Sequence, residues 1–154
     1  MNDKMTSFSA KITKSRDSAR PVVFVVYPDI VLLDLVGPLQ VFSHALDPDT
    51  KTNGYVCAVT SVDGGMIDTN TVVSIPSESV SSHMNRAIHT LVVVGGDGAN
   101  TAMHDTRVLE TVNALAAGAM RVCSVCSGAL VLAAAGLLDG RRAVTHWDDC
   151  ETLE

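Results

Sequence analysis

The chain has 154 residues, is 47% hydrophobic but only 4% aromatic, and carries a formal charge of −6, a balance that suits one domain with a tightly packed core of small side chains. Residues 1–20 hold Lys4, Lys11, Lys14, Arg16 and Arg20 against Asp3 and Asp17, a net +3 that leaves −9 on the rest; so acidic a body is excluded from gripping nucleic acid, which demands a basic face. The longest apolar run, Ala129 to Leu138, is too short to cross a bilayer, the N-terminus lacks an apolar signal core, and four cysteines show no disulfide pattern, so a cytoplasmic protein without membrane contact is expected.

Residues 1–20, rich in Ser, Lys and Thr without apolar periodicity, are expected to be a flexible tail. Val22 to Tyr27 is a continuous β-branched and aromatic run, the signature of a strand buried on both faces of a parallel sheet. After a Pro28–Asp29 turn, Leu35, Leu39, Phe42 and Leu46 predict a helix over Leu32 to Ala45, with Gly37–Pro38 placed in its first turn. Tyr55 to Val62 alternates as a strand, and Thr71 to Ile75 reads as a shorter one. Leu91 to Val94 is a strand running into Gly95-Gly96-Asp97-Gly98, and Val108, Val112 and Leu115 place a helix over Asp105 to Ala117. Arg121 to Val125 is the last strand and Ala129 to Leu138 the last helix, with Gly136 and Gly140 marking its stop. This alternation is the grammar of an α/β fold: a mostly parallel sheet sandwiched by helices.

Function in such sheets gathers beyond the carboxyl ends of the strands. Cys126 lies there, in the elbow Ser124-Val125-Cys126-Ser127-Gly128 between strand and helix, a geometry that holds a side chain out above the sheet edge as G-x-S-x-G does. The free N–H groups and positive dipole end of the helix are expected to push its thiol toward thiolate. Alternatives to a reactive elbow are a small buried Cys and a redox or metal pair of Cys123 with Cys126. Against the pair, Val122 to Val125 reads as strand, and no second C-x-x-C or His cluster completes a zinc site; no metal and no cofactor are expected. Gly95 and Gly96 either let the backbone approach a ligand and stabilise an oxyanion or form only a tight turn, while the absence of G-x-G-x-x-G disfavours a dinucleotide. Taken alone, Asp34 is a cap or dipole partner and His146 a packed or surface histidine.

The segments P-V-V-F-V-V-Y-P-D-I-V-L-L-D-L-V-G-P-L-Q-V-F, L-V-V-V-G-G-D-G and V-C-S-V-C-S-G-A-L-V-L-A-A-A-G-L-L-D-G-R-R-A-V-T-H-W resemble the ThiJ/PfpI superfamily, also called class I glutamine amidotransferase-like. The likeness covers Pro21 to Asp149 and implies a flavodoxin-like fold. It is nearest to the N-terminal sensor domain of AraC-type transcriptional regulators, with isocyanide hydratases as near relatives. The resemblance implies that Cys126 is the elbow nucleophile, Asp34 the acid that approaches it, Gly95 and Gly96 the oxyanion-pocket glycines, His146 the histidine of the T-H-W stretch and Ser127 a further contributor.

Two functions follow from the resemblance. One is a dimerising domain that binds a small-molecule ligand, DNA being read by a C-terminal helix-turn-helix module absent from this chain. The other is a cysteine-dependent hydratase in which Cys126 attacks an isonitrile carbon and Asp34 shuttles the proton, giving an N-formamide. A thiol-dependent chaperone or deglycase-like protein is a third reading. Such relatives continue through a further strand and helix, so the domain, residues 21–154, is expected to lack its last elements.

Overall fold

The computed structural model describes residues 19–154; the tail expected over residues 1–20 lies, up to residue 18, outside the described residues. Six strands form one sheet: β1 Arg20–Val25, β2 Tyr55–Ser61, β3 Gly65–Asp68, β4 Ser74–Ser79, β5 Ile88–Val93 and β6 Ala119–Ser124. Their order is β3-β4-β2-β1-β5-β6, every pairing parallel except β3 with β4. The helices are α1 Leu32–His44, α2 Ala99–Ala102, α3 Thr106–Ala117, α4 Gly128–Ala134 and α5 Cys150–Leu153.

The adjacent interior strands β1 and β5 are the most apolar segments and therefore the most buried. Val22 to Val26 in and after β1, and Leu91 to Val94 in and after β5, have almost no exposed surface, as strands covered on both faces must. From β1 the chain steps through α1 to β2 on one side; from β5 it steps through α3 to β6 on the other. Because such crossovers are right-handed, the opposite steps put α1 and α3 on opposite faces of the sheet. The same reversal makes the β1/β5 boundary the topological switch point, where a crevice opens beyond the strand ends.

Four expectations need correction. The strand expected over Thr71 to Ile75 lies later, at Ser74–Ser79, and pairs with the unanticipated antiparallel β3. Gly64 and Gly65, both at positive φ, turn the chain into β3, and Thr69 and Thr71 hydroxyls take up the backbone of residues 71–73 instead. Pro38 sits inside α1, not in its first turn, because the helix already starts at Leu32; having no N–H, it leaves the Asp34 carbonyl without its intrahelical donor. Asp34 does not cap α1. Val31 is the N-cap, and Asn70 Oδ1 accepts from Leu32 N–H at 3.1 Å, while Asp34 sits in the first turn where its charge suits the dipole. Finally, α4 ends at Ala134 rather than Leu138. Gly136, at φ +74, closes it: Leu137 N–H bonds Leu132 O at 3.0 Å and Gly136 N–H bonds Ala133 O at 2.8 Å, the paired bonds of a Schellman motif.

Candidate active site

Three strand ends meet at the switch point. The segment after β1 carries Tyr27 and, in the first turn of α1, Asp34; the segment after β5 carries Gly95 and Gly96; the segment after β6 carries Cys126 and Ser127. Cys126 has φ +53, a left-handed conformation that a non-glycine residue holds only where its surroundings enforce it. The enforcement is visible in the bonds around it. Val125 N–H donates to Val93 O at 3.0 Å, Gly128 N–H to Val125 O at 3.0 Å and the Thr145 hydroxyl to Cys126 O at 3.1 Å.

The glycine turn is packed onto this elbow. A Cβ on Gly95 would stand 2.5 Å from Val125 O and 2.8 Å from the Cys126 Cβ, and one on Gly128 would stand 2.3 Å from Val93 O, so backbone passes over backbone with no room for a side chain. Ser127, only 4% exposed, joins the two loops reciprocally: its hydroxyl accepts from Gly96 N–H at 2.8 Å and donates to Gly96 O at 3.0 Å. The Gly95 carbonyl accepts from Val31 N–H at 2.9 Å, and the Val94 carbonyl accepts from the Tyr27 hydroxyl. The Gly96 amide, nominated as an oxyanion donor, is thus already bonded to Ser127.

What is left without a partner is chemically sharp. Asp34 Oδ2 is buried and has no hydrogen-bond partner, and the Asp34 carboxyl lies beside the Cys126 thiol. Burial pushes that thiol above its ordinary 9.0; Ser127, first through its N–H, favours thiolate, while the Asp34 carboxyl beside it opposes it. The expectation of a thiol driven toward thiolate by the helix terminus is therefore reversed: desolvation and the neighbouring carboxylate outweigh the Ser127 donors. Tyr27, 3% exposed, is likewise raised, first by burial and then by the charges of Cys126 and Asp34, which puts its phenol in the same cluster.

A pH dependence follows. Folded-state values raised above the unfolded ones mean that the stability linked to Cys126 and Tyr27 is fully present below about pH 9 and is lost as pH rises toward the folded values. Melting temperature is expected to be level from about pH 7 to 8.5 and to fall above about pH 9, less steeply in Cys126→Ser. A flat alkaline profile would contradict the burial of these groups.

His146 does not bond the elbow. Its ring lies 3.7 Å from Asp148 Oδ2 and stacks on Trp147 at 3.8 Å between centroids, with no hydrogen bond to Cys126; the T-H-W stretch reaches the elbow through Thr145 instead. Cys123 is exposed on the outer strand β6. Among the described residues no three His, Cys, Asp or Glu side chains converge as metal ligands would, and no helix is long and apolar enough to cross a membrane. A groove of about 630 Å³ lined by Met120, Val122, Leu132, Leu137 and Leu138 runs along β6, away from Cys126.

Sequence reasoning brought Asp34, Gly95, Gly96, Cys126 and Ser127 to one place and missed Tyr27 and Thr145. A hydroxyl at the end of an otherwise apolar buried strand is the signal that could have found Tyr27, because a buried Tyr O–H seeks a partner.

Comparison with known proteins places the chain in a family. The model of the DJ-1/PfpI family matches residues 20–154. An uncharacterized protein from the cpoL 5′ region of Streptomyces lividans is 40% identical over 132 residues, 86% of this chain and 91% of that one. Isonitrile hydratase of Pseudomonas putida is 35% identical over 133 residues, covering 84% of this chain and 53% of the hydratase. The HTH-type transcriptional regulator GlxA of Rhizobium meliloti is 34% identical over 92 residues, 59% of this chain and 28% of the regulator. The chain therefore spans about half the hydratase and under a third of the regulator.

Proposed function

Because the chain belongs to the DJ-1/PfpI family, we propose that it is a small-molecule-binding domain centred on Cys126 and Asp34, the sensing part of an AraC-type transcriptional regulator. One observation carries this reading. Around the elbow the Gly96 amide, the Val94, Gly95, Gly96 and Cys126 carbonyls and the Ser127 hydroxyl are all bonded to one another or to neighbouring backbone and side chains, and beside them stand a thiol raised by burial and one unpartnered carboxylate oxygen. That pair suits recognition of a polar ligand carrying a donor for Asp34. It suits turnover less, since burial and Asp34 favour the thiol over the thiolate and the Gly96 amide is bonded to Ser127.

The likeness to GlxA supports the regulatory setting, in which DNA contact belongs to a separate module of the longer protein. A homodimer is part of the same proposal, supported by the apolar residues Leu33, Val36 and Val41 exposed along α1.

The second reading, isonitrile hydration, is favoured by the 35% identity to isonitrile hydratase and by the left-handed elbow of Cys126. Chemically, the Sγ–H adds across the terminal carbon, forming an Sγ–C bond and placing the proton on that carbon. Water then displaces Sγ, which leaves as thiol, and the product is an N-formamide.

One experiment separates the two readings. The purified chain, its Asp34→Asn and its Cys126→Ala variants are screened by thermal shift against small amides, amines and isonitriles, and each isonitrile sample is assayed for formamide. Sensing predicts a saturable rise in melting temperature with at least one compound, reduced about tenfold or more in apparent affinity by Asp34→Asn through loss of a charge-assisted hydrogen bond, with no Cys126-dependent formamide.

A further inference from the structure

We propose that Tyr27 is a positioning residue of the Cys126–Asp34 site: by holding the Val94 carbonyl, its hydroxyl sets where the glycine turn lies under the elbow, and so how the thiol meets the carboxylate. This rests on the reading of Cys126 and Asp34 as the ligand centre, but it is tested on the thiol itself, without any ligand.

Tyr27 stands where β1 gives way to the Pro28–Asp29 turn, its ring 3% exposed and its hydroxyl bonded to Val94 O, 67 residues away in sequence. Val94 immediately precedes Gly95, whose α-carbon is so close to the elbow that an added Cβ would fall 2.7 Å from Ser127 N and 2.8 Å from Cys126 Cβ. No slack separates the two loops. A displacement of the Val94 peptide is therefore passed to Cys126 by contact, and from there to its pairing with Asp34.

The Tyr27 hydroxyl is also the side-chain group that fixes this peptide from the β1 side, while Val31 and Ser127 fix the next two. Tyr27 senses the same pair electrostatically, since the charges of Cys126 and Asp34 both raise it. Without the hydroxyl, the buried Val94 carbonyl loses its side-chain donor and the turn relaxes. Water then reaches the thiol and the contact with Asp34 loosens, both of which bring Cys126 down toward an ordinary thiol.

The test is the pH profile of Cys126 alkylation by iodoacetamide, read by peptide mass spectrometry so that Cys57, Cys123 and Cys150 are scored separately. Tyr27→Phe is expected to move the Cys126 midpoint down by about half a unit, which is about threefold faster alkylation at fixed pH below it, with the other cysteines unchanged. A folded Tyr27→Phe whose Cys126 profile superimposes on the parent overturns the proposal, whatever its stability. A second measurement needs no Tyr27 variant: the chain contains two tyrosines, so ring-labelled ¹³C-tyrosine gives two signals, assigned with Tyr55→Phe. The Tyr27 signal is expected to shift with the midpoint of Cys126 alkylation and to stay still in Cys126→Ser; a signal indifferent to Cys126 ionisation overturns the proposal. Failure of every ligand to bind, with both shifts present, would instead remove the sensing function and leave Tyr27 in its positioning role.

Discussion

Gly96→Ala is expected to cost about 2–6 kcal/mol of folding stability, the sum of a strained backbone and an overpacked contact, each of order 1–3 kcal/mol. Gly96 has φ +137, and a Cβ there would fall 2.4 Å from Val31 N, 2.6 Å from Asp29 O and 2.7 Å from Ile30 C. All three are backbone atoms of the segment linking β1 to α1, so no side chain can swing aside. The same shift would pull Asp34 away from Cys126, because Val31 is the N-cap of the helix that carries Asp34. Urea unfolding checks the prediction, and the chain supplies its own control. A Cβ on Gly37, inside α1, would meet nothing within 4 Å, so Gly37→Ala is expected to gain up to about 1 kcal/mol from helix propensity. Equal effects at the two glycines would contradict the close approach of the loops.

The second large effect is expected at Ser127. Its hydroxyl both accepts from and donates to the Gly96 peptide, and both residues are buried. Ser127→Ala removes two hydrogen bonds. The Gly96 carbonyl retains Ala99 N–H at 2.9 Å, whereas the Gly96 N–H loses its Ser127 acceptor, so the cost is expected near 2–3 kcal/mol: an orphaned buried donor plus one lost bond. A loss below about 0.5 kcal/mol, the range of ordinary surface substitutions, would show that the clamp contributes nothing. The same measurement bears on chemistry, because a hydroxyl engaged with backbone on both sides is committed to holding the turn.

How much of this was legible in the sequence depended on how local the cause was. Val22 to Tyr27 and Leu91 to Val94 were readable as strands because burial on both faces leaves an unbroken apolar run. Gly136 was readable as a stop because only a residue tolerant of positive φ closes a helix in that way. The elbow at Cys126 followed from strand and helix abutting with small residues between them.

What escaped was set by contacts between distant segments. The strand placed at Thr71 to Ile75 slid to Ser74–Ser79 because Thr69 and Thr71 side chains capture the intervening backbone, which no period-2 pattern reveals. Pro38 was assigned to a first turn by its residue type, yet the start of α1 is fixed by Asn70 from another loop. The direction of the Cys126 shift escaped as well. A helix terminus is written in the local sequence, but burial and the approach of Asp34 come from the fold. Tyr27 and Thr145 act on Val94 and Cys126 across 67 and 19 residues, separations at which a single sequence offers only the residue type.

The resemblance of the elbow and the T-H-W stretch to this family was specific enough to fix the fold, and the match over residues 20–154 bears that out. It favoured sensing with hydration as the alternative, and the relatives include both a hydratase and a regulator.

The most direct measurement is formamide production from a simple isonitrile such as cyclohexyl isonitrile, followed by chromatography with the purified chain and with Cys126→Ala at equal concentration. A sensing site with a thiol held protonated beside Asp34 predicts equal, background rates in both samples. Formamide accumulating over many turnovers with the parent chain and absent with Cys126→Ala would contradict it and establish catalysis at the elbow.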